Sequence, residues 1–170
     1  TLFRSSDFDE VNTSPITATI EYVKPQFALN NAIAQAKMDP GVSERIVVYN
    51  WGSAARVIGE MSFLNVGRYT DDYTSSYYYP CISNSIKNAT LAINTAEQQV
   101  ASGTATVHEK KFFPNVKQFA RIWHAYLISE FTDNFGPYAI DGFLGENPEF
   151  DSEKDVYAFI LKELKEASEA

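Results

Sequence analysis

The 170-residue sequence holds a single cysteine, two histidines, two methionines and no apolar run longer than a few residues. One cysteine excludes a disulfide framework and any metal site built on cysteine pairs. Cys81 lies mid-chain, at the start of a predicted helix, where it reads as a small buried apolar side chain and not as an amino-terminal lipid anchor. The apolar runs fall far short of the roughly 20 residues that span a bilayer as a helix. Basic residues are also scarce: 14 Lys and Arg against 22 Asp and Glu leave a formal net charge of -8. Such a surface repels nucleic acid, and no basic amphipathic helix is present to lie on an anionic membrane. The opening TLFRSSDFDEVN has no charged start followed by an apolar stretch, so the chain is expected to begin as a mature or truncated segment does. No segment alternates strictly between apolar and polar residues, so strands are expected to be minor at most.

Aromatic side chains are plentiful, with twelve Phe, ten Tyr and two Trp making up 14% of the chain. Rings dominate core packing, and they also pack flat on the apolar faces of sugars, so composition alone leaves both uses open. Residues 1–23 show no period and read as extended or loosely ordered, and residues 24–170 read as one helical region. A first helix starts near Pro25, suited to a first helical turn, and runs to the stop at Asp39-Pro40-Gly41, with Ala28, Ala32 and Ala36 on one strip. An apolar segment from Ser43 to about Met61 is interrupted by Gly52 and Gly59, and residues 62–76 read as a loop. Ile82, Ile86, Ala89, Ile93, Ala96 and Val100 recur at helical spacing, and Gly103 supplies the carboxyl cap. After a polar connection, TATVHEKK, a helix with Val116, Phe119, Trp123, Tyr126, Leu127 and Ile128 runs to Gly136-Pro137. A last helix begins at Ser152, with Asp155 three residues on, and turns Val156, Phe159, Ile160, Leu164 and Ala167 inward.

The spacing therefore predicts an all-α fold in which residues 81–101 and 113–134 pair as an antiparallel, TPR-like hairpin of an α-solenoid type of stack. No clean repeat at the TPR period of about 34 residues supports this independently. With little chain after it, the last helix is expected to expose apolar surface.

Two motifs carry a resemblance. The first is VKQFARIWHAYLISEFTDNFGPYAIDGF, Val116 to Phe143: a helix rich in Ala, Arg and aromatics, then the turn Thr132-Asp133-Asn134-Phe135-Gly136-Pro137-Tyr138. The second is NPEFDSEKDVYAFILKELKEA, an aromatic-Asp-Ser entry to a helix. In this order and spacing they resemble the SusD-like (SusD/RagB) family. The chain departs from the family's usual turn at Pro137-Tyr138-Ala139, where an acidic or small residue commonly precedes Pro-Tyr. The resemblance implies a cell-surface, lipid-anchored outer-membrane protein that binds a glycan and delivers it to a TonB-dependent, SusC-like transporter. It also implies a longer whole protein, with a leader, a lipidated cysteine and a carboxyl-terminal half. It implies no enzyme and no cofactor. The motif residues themselves read as packing devices, with Gly136 supplying a positive φ.

For a glycan, the candidate residues are Asn50 and Trp51 with Arg68, Tyr69, Asp71, Asp72 and Tyr73, which combine rings for stacking with amide, guanidinium and carboxylate groups for hydroxyls. The competing reading puts Trp51 in the core and packs the tyrosines between helices. Trp123 is expected in the core, and at least one of Tyr77, Tyr78 and Tyr79 is expected to face outward. Paired carboxylates exist at Asp71-Asp72 and Glu130-Asp133, but they read as solvated groups and not as a hydrolase pair. His108 and His124 form no triad or metal motif. Asp141, Glu146, Glu149 and Asp151 lack the spacing of a calcium loop. A helical scaffold for protein–protein contacts is the alternative from a different class.

Overall fold

The computed structural model of the chain describes residues 23–36, 82–141 and 149–170, together with the single positions 52 and 55. The apolar segment 43–61, the loop 62–76, the tyrosine run and Cys81 lie outside the described residues, apart from those two positions. Four α-helices occur in the described residues: α1 Pro25–Gln35, α2 Asn84–Ala101, α3 Val107–Phe135 and α4 Glu153–Glu169. Among the described residues there is no strand, only one isolated antiparallel bridge between Tyr138 and Asp151.

Each boundary has a local cause. Pro25 takes the first turn of α1, where its missing N–H costs nothing. Helix α2 ends at Ser102, and Gly103 adopts φ 77°, so its amide reaches back to the Val100 carbonyl. Helix α3 starts six residues earlier than the expected 113. The Thr106 hydroxyl accepts from the Glu109 amide while the Glu109 carboxylate accepts from the Thr106 amide, a reciprocal cap of about 1 kcal/mol. That cap, with Phe113 wholly buried one turn on, carries the helix through Pro114. At the far end Gly136 takes φ 84° as expected and donates to the Thr132 carbonyl. Ser152 caps α4 by accepting from the Asp155 amide, and its hydroxyl donates to the Asp155 carboxylate in turn. This is half of a capping box with a contact between the two side chains in place of the other half.

Each described helix runs antiparallel to the next described one. Glu97 pairs with Lys117 at 2.6 Å and Thr90 meets His124, fixing α2 against α3. Asn31 donates to Asn88, and the Gln99 amide donates to the Val23 carbonyl, fixing α1 against α2. Arg121 meets Glu163 while Asp133 meets Tyr157, fixing α3 against α4. Among the described residues the backbone of α4 packs on α3 alone, whereas α1 packs on both α2 and α3. Where α1, α2 and α3 come together, Ala28, Ala92 and Ala120 each supply the contact, and their small size lets three backbones approach closely.

The main core lies toward the motif end, built from Ile82, Ile86, Leu127, Ile128, Phe131, Val156 and Ile160. A second, at the opposite end, seats Phe113 against Ala96 and Ala105. Lys24 lies over the Phe113 ring, 5.8 Å from its centre, and bridges to Glu109 at 2.9 Å, which ties the start of α1 to the start of α3. The expected stripe of α2 holds, with Ile93 and Val100 partly buried at its edge. The inner face of α4 holds too. Val156, Ile160 and Ala167 are buried, while Tyr157 and Leu161 of the same helix stay exposed. The last helix therefore shows apolar surface as expected, although its inner face is largely covered.

Candidate ligand-binding surface and the motif junction

The two sequence motifs meet in space. The Asp151 amide donates to the Tyr138 carbonyl at 2.9 Å, and the Asp151 carboxylate accepts the Ile140 amide at 2.8 Å. Tyr138 is buried edge-on against Phe131, with ring centres 5.1 Å apart, and Phe131 stacks on Phe135 at the same distance. One turn into α4, the Tyr157 hydroxyl donates to the Asp133 carboxylate, which raises the Tyr157 pKa above the phenol range. Thr132, Asp133, Gly136, Tyr138 and Asp151 thus hold the end of α3 to the start of α4. Asp151, weighed as one oxygen of a cation loop, spends its carboxylate on a backbone amide. Among the described residues no group of three or more His, Cys, Asp or Glu side chains converges as a metal site would require.

Farther along the same interface, Arg121 grips Glu163 through Nε at 2.8 Å and Nη2 at 2.9 Å, a two-pronged contact, and reaches Glu166 and Gln118 as well. The contact raises the guanidinium pKa and lowers that of Glu163. His124 sits beside this pair. The single hydroxyl proton of Thr90 goes to the Ile86 carbonyl at 3.0 Å, so at 3.4 Å His124 Nε2 must be the donor to Thr90. Burial lowers the His124 pKa to about 4, with the charge of Glu163 opposing in part. His108, by contrast, is exposed and lies against Phe112. These groups brace the helices.

The outward side of α3 is different in character. Phe119 is 65% exposed, Tyr126 46% and Ile122 37%, and Trp123, half-buried, stacks on Tyr126 with ring centres 5.1 Å apart at 38°. The stripe expected to face the core is therefore turned partly to solvent. Helix α3 must serve α1, α2 and α4 at once, so its buried arc is wide and centres on Phe113, Ala120, Leu127 and Phe131. The indole N–H of Trp123 is buried without a hydrogen-bond partner. The Tyr126 hydroxyl bonds to Glu130, and burial followed by that carboxylate raises its pKa. Glu130 and Asp133, weighed as a carboxylate pair, are thus each engaged by a tyrosine hydroxyl.

Among the described residues, grooves lie along α2 and beside its contact with α3. One, of about 330 Å³, is floored by Ala96, Val100 and Phe113 and edged by the Glu97–Lys117 pair. Another, of about 450 Å³, is lined by Asn84, Lys87, Asn88, Thr90, Leu91 and Asn94 of α2. The sequence-predicted ligand residues Asn50, Trp51, Arg68, Tyr69, Asp71, Asp72 and Tyr73 all lie outside the described residues. Sequence reasoning missed Phe119 and Tyr126 as surface rings. The signal was there: the angular spread of apolar positions on α3 exceeds what one packed face can take.

The described residues are thus all-helical, with antiparallel helices braced at one junction and three aromatic side chains along the outer side of α3. A family model described as starch-binding associating with outer membrane, SusD-like, matches residues 17–170, and the chain belongs to that family. No curated protein and no solved structure matches the chain. Among the described residues no helix is long and apolar enough to cross a membrane.

Proposed function

We propose that this chain is the ligand-binding, TPR-like part of a cell-surface lipoprotein that captures an oligosaccharide and passes it to a TonB-dependent, SusC-like transporter in the outer membrane. The observation that carries the reading is the family match over residues 17–170, supported by the way both motifs interlock at Tyr138 and Asp151. A net charge of -8 suits a neutral glycan better than an anionic ligand. Asn50, Trp51, Arg68, Tyr69, Asp71, Asp72 and Tyr73 are the proposed ligand residues of the segment before α2. Binding occurs without hydrolysis, and no cofactor takes part.

The test is a titration with a panel of neutral glycans followed by tryptophan fluorescence, with Trp51 and Trp123 as reporters. A saturable change with starch oligosaccharides and no release of reducing sugar supports the reading. A flat response across the panel refutes it for this chain, and release of reducing sugar points to a hydrolase.

A further inference from the structure

We draw no further inference here: the strongest candidate, the apolar groove between α2 and the start of α3 floored by Ala96, Val100 and Phe113, carries nothing because nothing in the structure shows what covers it.

Discussion

Asp151 holds Tyr138 by its backbone and the Ile140 amide by its side chain, so a single residue at the mouth of α4 closes the end of α3. Replacing Asp151 by Ala removes the acceptor of the Ile140 amide while leaving the backbone bond to Tyr138. The expected loss is about 1–2 kcal/mol of unfolding free energy in urea, and Asp151→Asn, which keeps one acceptor oxygen, loses less.

Arg121 binds α3 to α4 from a largely buried position, through two bonds to Glu163 and one to Glu166. Arg121→Ala leaves Glu163 half-buried without its partner, at an expected cost of about 2–4 kcal/mol. Arg121→Lys recovers little, because a single ammonium cannot reproduce the two-pronged geometry. Denaturation curves of the two variants should nearly coincide.

Acid acts on the same interface in two stages. His124 has a folded pKa of about 4 against an ordinary 6.5. Below pH 6.5 the unfolded chain therefore takes a proton that the folded chain refuses, and stability falls until the pH reaches about 4. Glu163 has a lowered pKa, so its contribution is complete above the ordinary carboxylate pKa and is lost as pH falls below that value through its folded one. Melting temperatures from pH 7 to pH 3 should show both losses. His124→Gln should flatten the curve between pH 6.5 and 4 and leave the lower arm in place.

Thr106 starts α3 ahead of Pro114 through its exchange with Glu109, whose pKa the Lys24 and Thr106 contacts lower to about 2. Thr106→Ala is expected to cost about 1 kcal/mol and to fray residues 107–113, read as faster amide exchange there while the motif end stays protected.

Much of this fold can be read from local pattern. The α2 stripe, the positive φ of Gly103 and Gly136, the Ser152 cap and the inner face of α4 are one-dimensional signals, each set by neighbours within a turn. What escapes is set by distant chain. Pro114 and the Lys110-Lys111 pair mask the start of α3, which Thr106 and Glu109 mark more reliably. Phe119 and Tyr126 share a period with Val116 and Leu127, but only the placement of three neighbouring helices decides which of them is covered. Arg121 and Glu163 are 42 residues apart, and no local rule pairs them. Trp123, expected in the core, is divided between core and surface for the same reason.

The central claim, that this chain is a glycan-binding member of its family, meets its most direct test in native gel electrophoresis with and without soluble starch. With a net charge of -8 the chain migrates freely toward the anode in the plain gel. The account predicts marked retardation in the starch gel, relieved by added maltoheptaose. Equal mobility in both gels, from a chain with intact helix content, would contradict it.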